Sequence, residues 1–535
     1  MALQSINIGS AANDGTGSTL RAAFDICNDN FSELYGGTTS ALGFKAEGTN
    51  FTGSLIVGHS TTGTISTATY NTALGIGAMD AITSGDYNTV IGYNSGTALT
   101  TGSQNVLVGS TAGDSVDTGS YNVAIGHGAL ATENSGTGNI AIGRNALHYL
   151  DTGNVAYNVA IGYEAGKQVT TGLRSVFIGG TAGDAVTTGN DNTAIGFGAL
   201  TAEDTGQKNT AIGSYALTSL DYNGDGHNTA VGFNAGLNLA TGKENTLIGS
   251  EAGDSLTTGE KNVAIGKGAL TTEDTGHRNV AIGHGALQTL NYDGTGYNVA
   301  VGYDAGVNLS TGVNNTLIGS LVGDALTTGT NNVAMGYGAL GSEDTGGQNV
   351  AIGVNALNTA NYDGNGLNVA VGYGAGAAVT TGTFNTIVGG LAGDALTTGN
   401  RNVAIGYEAL STEDTGARNV AIGEGSLKTL NYDGNGYNVA IGYDAGTAIT
   451  TGVENILVGS LAGDALTTGE RNAAIGHAAL GTEDTGSRNT AFGWSALTTL
   501  NYDGNGYNTA MGYAAGMSVT TATYNTLIGG LAGDA

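Results

Sequence analysis

Proline does not occur in the 535 residues, cysteine occurs once, and lysine and arginine together number only 15. A chain without proline cannot form a collagen helix, and Cys27 alone cannot form an intrachain disulfide. No stretch approaches the roughly 20 apolar residues of a membrane-spanning helix, so we expect no membrane insertion. The net charge of −29 opposes binding to nucleic acid and to anionic membrane surfaces.

The chain is instead rich in glycine, with 96 residues, and it is built from a short repeat. From Asn71 onward it divides into 27 units, most of them the length of NVAIGKGALTTEDTGHR and the others longer by two loop residues. All but one begin with asparagine, the exception being Ser175, and a degenerate unit occupies 54–70. Three 17-residue units and one 19-residue unit make a 70-residue super-repeat. Such a short period, rich in small side chains, is typical of a solenoid.

We number the positions of each unit from its asparagine. The segment N-[VT]-A-[IV]-G at the start predicts a short strand, and its fourth position is always a large apolar residue that we expect to point inward. A second apolar anchor stands at position 9, as in Leu480 and Leu497, or at position 12, as in Ile449 and Leu466. The sequence therefore predicts an all-β fold, a parallel β-solenoid (β-roll) of about 28 coils over 54–535.

The residue types agree with stacked coils. Coils about 4.8 Å apart pair every backbone group with the coils above and below, and proline would break that ladder. Glycine at position 5 and in the Thr-Gly step at positions 14–15 allows tight corners. Asparagine tolerates left-handed backbone and can bond to its own copy one coil away.

Acidic residues also follow the 70-residue period. An aspartate recurs from Asp114 to Asp534, and the pair Glu203–Asp204 recurs up to 483–484. Equivalent charges then lie four coils, about 19 Å, apart, which exceeds the Debye length of about 8 Å at physiological salt. We interpret this pattern as charge spacing.

Two resemblances to known families can be recognised. The N-A-I-G units of 54–535 are similar to the head repeats of trimeric autotransporter adhesins, which implies a trimeric β-roll. Residues 5–35, SINIGSAANDGTGSTLRAAFDICNDNFSELY, resemble the N-terminal segment of bacteriophage tail fibres and appendage proteins. The residues that match this second pattern are Ile6, Asn7, Gly9, Ala11 through Gly17, Leu20, Arg21, Ala23, Phe24, Asn28, Asn30, Phe31 and Glu33 through Tyr35. This resemblance implies a virion component made in the host cytoplasm.

Within the attachment segment 1–35, residues 18–35 read as an amphipathic helix capped by Ser18 or Thr19. Its apolar stripe, with members three and four residues apart, consists of Leu20, Phe24, Cys27, Phe31 and Leu34. Three copies of this stripe could bury one another, and a thin, alanine-rich coil buries little apolar area alone. We therefore expect a homotrimeric fibre, with 36–53 as a linker between helix and shaft.

Candidate sites are few. The loop with Asp221, Asn223 and Asp225 resembles the first half of a calcium loop but lacks the distal glutamate, so a glycine-rich turn is the favoured interpretation. Histidines recur at position 6 and could meet on a trimer axis, although a surface role is the simpler reading. Position 6 also holds aromatic residues that could stack on sugars, or that pack between coils or chains: Tyr93, Tyr163, Phe233, Tyr303, Tyr373, Tyr443 and Tyr513.

No catalytic constellation is visible, so we expect neither enzymatic activity nor a cofactor. A depolymerase would need an acidic pair in a groove. The sequence predicts a structural phage fibre that binds tail, baseplate or neck proteins through its N-terminus. The last unit, from Asn525, stops at its eleventh residue without a cap. We therefore expect a longer native fibre whose C-terminal region binds the host receptor. The alternative is a cell-surface trimeric adhesin whose shaft itself binds host glycans.

Overall fold

The computed structural model describes residues 44–46, 51–58 and 65–534, and only the backbone of the first of these segments. It is an all-β parallel β-solenoid of about 28 coils, which confirms the predicted fold class. The predicted helix 18–35, with Leu20, Phe24, Cys27, Phe31 and Leu34, lies outside the described residues. None of the described residues forms a helix, and hence none forms an apolar helix that could span a lipid bilayer.

The chain divides into two compact units, one ending at Ser250 and the other beginning at Glu251. All strands are three residues long. The strands of the first unit are β1 (Phe44–Ala46), β2 (Leu55–Val57), β3 (Thr72–Leu74), β4 (Thr89–Ile91), β5 (Val106–Val108), β6 (Val123–Ile125), β7 (Ile140–Ile142), β8 (Val159–Ile161), β9 (Val176–Ile178), β10 (Thr193–Ile195), β11 (Thr210–Ile212), β12 (Thr229–Val231) and β13 (Thr246–Ile248).

The second unit repeats the same element. Its strands are β14 (Val263–Ile265), β15 (Val280–Ile282), β16 (Val299–Val301), β17 (Thr316–Ile318), β18 (Val333–Met335), β19 (Val350–Ile352), β20 (Val369–Val371), β21 (Thr386–Val388), β22 (Val403–Ile405), β23 (Val420–Ile422), β24 (Val439–Ile441), β25 (Ile456–Val458), β26 (Ala473–Ile475), β27 (Thr490–Phe492), β28 (Thr509–Met511) and β29 (Thr526–Ile528).

Within each unit, successive strands pair in parallel and in register. Ala194 pairs with Ala211 across a 17-residue coil, and Ala211 pairs with Ala230 across a 19-residue coil. The two extra residues therefore stay in a loop and do not shift the ladder. The strand β1 is different, because it pairs antiparallel with β2, and it lies inside the predicted linker 36–53.

The strands turn positions 1 and 3 inward and positions 2 and 4 outward. In β22, for example, Ala404 is fully buried while Val403 and Ile405 on either side of it are half-buried. The prediction that position 4 points inward is therefore wrong. The asparagine at position 1 is itself buried, as Asn402 is, and the two-residue period of a strand then sends position 3 inward and position 4 outward.

The other apolar anchors were predicted correctly. Leu480 and Leu497 at position 9, and Ile449 and Leu466 at position 12, are all fully buried. Together with position 3, which holds alanine in most coils and a larger apolar residue such as Leu107 or Phe177 in others, they fill the interior of each coil. A single chain therefore buries its own core. The expectation of a trimer cannot rest on a need to bury the core.

A ladder of buried asparagines runs beside this core. The Oδ1 atom of Asn71 accepts the backbone N–H of Asn88 at 2.8 Å, and Asn88 Nδ2 donates to Gly102 O at 2.9 Å. This confirms that the asparagine bonds to its own copy in the next coil. The asparagines do not adopt left-handed backbone, however. That conformation belongs to the residue just before each one, for example Tyr87 with φ 59°.

Glycine at position 5 is required for two reasons. Gly353 has φ +135°, a conformation that costs other residues strain, and a Cβ atom on it would lie 2.2 Å from Gly372 O in the next coil. The corner glycine at position 15 meets only the second constraint. A Cβ on Gly399 would lie 2.4 Å from Gly416 O, so glycine there permits close stacking of coils.

Candidate functional site

Two columns of exposed side chains run along the solenoid within each unit. The first, the position-6 column, follows the glycine after each strand and carries many of the exposed aromatic rings. Tyr163, Phe233, Tyr373 and Tyr513 are each at least half exposed. The aromatic residues predicted from the 70-residue period are therefore accessible in the single chain.

Some rings of this column stack on the next coil. His477, Trp494 and Tyr513 form a continuous stack, with centroids 5.8 and 5.1 Å apart and planes within 11°. His284 stacks on Tyr303 at 5.5 Å in the same way. These histidines therefore contact aromatic rings within their own chain, and the chain brings no two position-6 histidines together among its described residues. Whether copies meet on a trimer axis stays a prediction.

The second column is formed by the last residue of each coil, and we call it the last-position column. Its members adopt left-handed backbone, as Arg401 does with φ 58°. Eight of the 15 lysines and arginines stand in it, so the scarce positive charge of this acidic chain is concentrated there. These eight residues are Arg174, Lys208, Lys261, Arg278, Arg401, Arg418, Arg471 and Arg488.

Several cations of this column form ion pairs along it. Arg174 Nε lies 2.7 Å from Asp191 Oδ1, and Arg471 Nε lies 2.7 Å from Glu454 Oε2. Each of these pairs joins two residues one coil apart. Because both partners are exposed, solvent screens their attraction and these pairs add little to the stability of the fold.

A column of buried glutamates occupies position 12 of one coil in every super-repeat. Glu203 Oε1 accepts the N–H of Gly206 at 2.5 Å, and Oε2 accepts the N–H of Tyr222 in the next coil at 3.3 Å. Burial raises the pKa of Glu203 to about 7, although both hydrogen bonds act to lower it. The sister residues, whose pKa burial also raises, are Glu133, Glu273, Glu343, Glu413 and Glu483.

These contacts give the recurring acidic pair a structural role besides charge spacing. The carboxylate of Glu203, or of its sister Glu413, holds the corner of its own coil and the loop of the next one. A catalytic carboxyl must reach a substrate, whereas Glu203 is fully buried and both its oxygens accept backbone N–H groups. The sequence feature that could have indicated this buried role is the strict recurrence of the glutamate every 70 residues, because an exposed charge does not need a fixed position.

The predicted calcium residues have separate partners. Asp225 Oδ2 lies 2.6 Å from Lys208 Nζ, and Asn223 Oδ1 accepts a hydrogen bond from Thr205 Oγ1. Asp221 instead lies with Glu203 and Asp204, whose ligand atoms fall within 4.8 Å of one another. This is the one cluster of three acidic residues among the described residues that could hold a metal ion. Both carboxylate oxygens of Glu203 already accept backbone N–H groups.

A comparison of the sequence with protein-family models finds no match. A comparison with curated proteins finds no significant relative. The resemblances to phage fibres and to autotransporter heads therefore remain predictions from the residues themselves.

Proposed function

We propose that this chain is a structural fibre protein of a phage particle, in which the solenoid is a shaft and residues 1–35 attach it to the virion. The observation that carries the proposal is the unbroken, in-register stacking of coils within each unit. A stack of such coils is suited to act as a rigid spacer between the two ends of the chain. The tail-fibre resemblance of residues 5–35 supplies the virion context, with tail, baseplate or neck proteins as partners.

The bonding pattern supports a stiff shaft. Each coil is joined to the next by strand pairing and by the asparagine ladder, so bending must stretch several hydrogen bonds at once. Twelve strands, β2 to β13, stack in the first unit, and sixteen, β14 to β29, stack in the second. At about 4.8 Å per coil these stacks are about 50 and 70 Å long. Neither needs a metal or cofactor in this account.

We include a parallel homotrimer in the proposal, for a reason that differs from the sequence argument. The outward positions 2 and 4 form a face of valine, threonine and isoleucine. On it Ile125, Ile161 and Ile441 are each more than a third exposed, and Phe492 is 48% exposed. Three chains in register would bury this regular face without any change of fold. Analytical ultracentrifugation at native pH should show a trimer, and a monodisperse monomer would contradict it.

A cell-surface adhesin whose shaft binds glycans is the second candidate. The observation in its favour is the exposed position-6 column, because exposed rings can stack on sugar faces. The phage fibre is preferred because it also accounts for the N-terminal segment. No nucleic acid partner and no enzymatic activity are part of either candidate. Under the first, the chain is synthesised in the host cytoplasm, becomes part of the virion and contributes to adsorption to the host.

Incorporation into particles tests the proposal. A chain lacking residues 1–35 should form shafts that are missing from purified particles. The matched control lacks residues 402–471, which make up one complete super-repeat. This deletion preserves the repeat register, so the shortened chain should still be incorporated. Normal incorporation without 1–35 would contradict the attachment role.

A further inference from the structure

Four successive members of the last-position column, from Phe384 to Tyr437, include two arginines and no acidic residue. Phe384, Arg401, Arg418 and Tyr437 are the last residues of four successive coils, and all four are exposed. Their backbones share the same left-handed conformation, with φ between 49° and 62°. The side chains therefore leave the solenoid from equivalent points about 4.8 Å apart.

The two arginines turn away from each other and towards the rings. Arg401 Cζ lies 5.3 Å from the centroid of Phe384, and Arg418 Cζ lies 5.5 Å from that of Tyr437. Arg418 Nη1 also donates to Tyr437 Oη at 2.5 Å. Two like charges one coil apart repel, and stacking on the outer rings separates them. The order along the column is ring, cation, cation, ring.

Neither guanidinium forms an ion pair with a carboxylate of residues 51–58 or 65–534. In the super-repeat that follows, the equivalent arginine does have acidic partners. There Arg471 pairs with Glu454 at 2.7 Å and Glu470 at 3.5 Å. One super-repeat earlier, the places of these two glutamates are taken by Phe384 and Asn400. The same two positions thus carry acids beside Arg471 and none beside Arg401.

We propose that Phe384, Arg401, Arg418 and Tyr437 form a binding site for an acidic saccharide, whose carboxylate or sulfate groups pair with the two guanidinium groups. The guanidinium fork matches the oxygens of such anions. The flanking rings offer apolar surface to the C–H faces of adjoining sugars. The four coils span about 15 Å, which is enough for two to three sugar units.

A nucleic acid fits this site less well. Its closely spaced phosphates need a run of cations, whereas two arginines stand here on a chain of net charge −29. A short acidic saccharide presents one or two charges and meets less repulsion. The inference does not depend on virion attachment, because the site belongs to the shaft and can be measured in solution.

The test compares the full chain with R401Q/R418Q by calorimetric titration. Glutamine already occupies the equivalent last position at Gln104 and Gln348, with φ 60° and 61°, so the variant should keep its fold. The matched control is R471Q/R488Q, one super-repeat further along. The probes are tetragalacturonate, a sulfated tetrasaccharide, a neutral galactotetraose and a short single-stranded RNA.

At least one acidic probe should bind the full chain at least about tenfold more tightly than the neutral one, and R401Q/R418Q should lose about tenfold in affinity. The control should stay within about twofold. The stronger acidic probe identifies the anion as carboxylate or sulfate. Equal losses in both variants, no binding of either acidic probe, or tighter binding of RNA would overturn the proposal. A change of sedimentation coefficient in R401Q/R418Q alone would overturn it too, because the arginines would then contact another copy of the chain.

Discussion

Asn385 Oδ1 accepts the backbone N–H of Asn402 at 2.9 Å, one coil further along the chain. Asn402 repeats the contact towards Asn419 at 2.9 Å, and its Nδ2 donates to Gly416 O at 2.8 Å. The Asn402 side chain thus satisfies a buried donor of the next coil and a buried acceptor at a corner. The ladder links the strand to the turn as well as coil to coil.

Replacing Asn402 with alanine should destabilise the second unit by about 2–6 kcal/mol. The change leaves the buried N–H of Asn419 and the buried carbonyl of Gly416 without partners, and each such group costs about 1–3 kcal/mol. Hydrogen exchange at the Asn419 amide, together with the thermal midpoint, measures the effect.

The natural exception supplies the control for this variant. Ser175 stands in the asparagine column, and its Oγ accepts the N–H of Asn192 at 3.2 Å. Asn402→Ser should therefore keep the bond to the next coil and cost less than Asn402→Ala. Equal costs for the two variants would show that the coil-to-coil bond is not what the asparagine contributes.

Two glycines of one coil separate steric conflict from backbone strain. Gly353→Ala meets both, because its Cβ would lie 2.2 Å from Gly372 O at φ +135°. Gly364→Ala meets strain alone, since φ is +110° and nothing lies within 4 Å of its Cβ. We expect about 1–3 kcal/mol for Gly364→Ala and a clearly larger loss for Gly353→Ala. Comparison of urea midpoints decides this, and a smaller loss at Gly353 would refute the close stacking of coils.

The period of the sequence was sufficient to predict the solenoid, its coil number and the anchors at positions 9 and 12. It was not sufficient to predict which strand face points inward. An always-apolar position 4, as in Ile405, looks like core, and an asparagine such as Asn402 looks like surface. The structure has the opposite arrangement, with position 1 buried and position 4 partly exposed. Stacked asparagines can be buried because they satisfy one another's hydrogen bonds. Hydrogen-bond partners one coil away are not visible in a hydropathy pattern.

The buried glutamates could not be predicted for the same reason. Glu413 stands in a polar stretch, TEDTG, that reads as a solvent-exposed turn. It is buried because the N–H groups of Gly416 and Tyr432 point at its carboxylate, at 2.6 and 3.2 Å. Tyr362 shows a local adjustment of this region. It alone among the sister loop tyrosines of the described chain is buried, in the coil where Ala360 replaces leucine.

The shaft should become more stable as pH falls towards about 5.5. A carboxyl whose pKa is higher in the folded chain binds protons more readily there than when unfolded. Its stabilisation is complete below the unfolded pKa and is lost as pH rises through the folded pKa, which for Glu203 means between 4.5 and about 7. The pKa is raised, mainly by burial, for the six position-12 glutamates and also for Asp114, Asp184, Asp254, Asp324, Asp394 and Asp464.

Thermal melts at about pH 5.5 and pH 8 measure this dependence, with the midpoint several degrees higher at the lower pH. Glu203→Gln should reduce the slope, because it removes one titrating group while the amide oxygen can still accept the N–H of Gly206. Exposed ion pairs act in the opposite direction, since they lower the pKa of Asp191 and Glu408. A midpoint that rises with pH would show that these pairs outweigh the buried carboxyls.

Chelation should leave the fold unchanged. Asp225 is paired with Lys208, and Asn223 accepts a hydrogen bond from Thr205, so the predicted calcium residues are engaged within the chain. We expect the same thermal midpoint with EDTA and with added calcium. A decrease of more than a few degrees in EDTA would establish a metal site at Asp221, Glu203 and Asp204.

Electron microscopy of the particle with a labelled antibody against 54–535 tests the central claim most directly. We expect label on thin fibres that project from the virion, at a distance from its surface set by the length of the shaft. Removal of residues 402–471 should bring the outer end closer by about 19 Å, the length of four coils. Label on the bacterial surface in the absence of particles would contradict the claim and favour the adhesin.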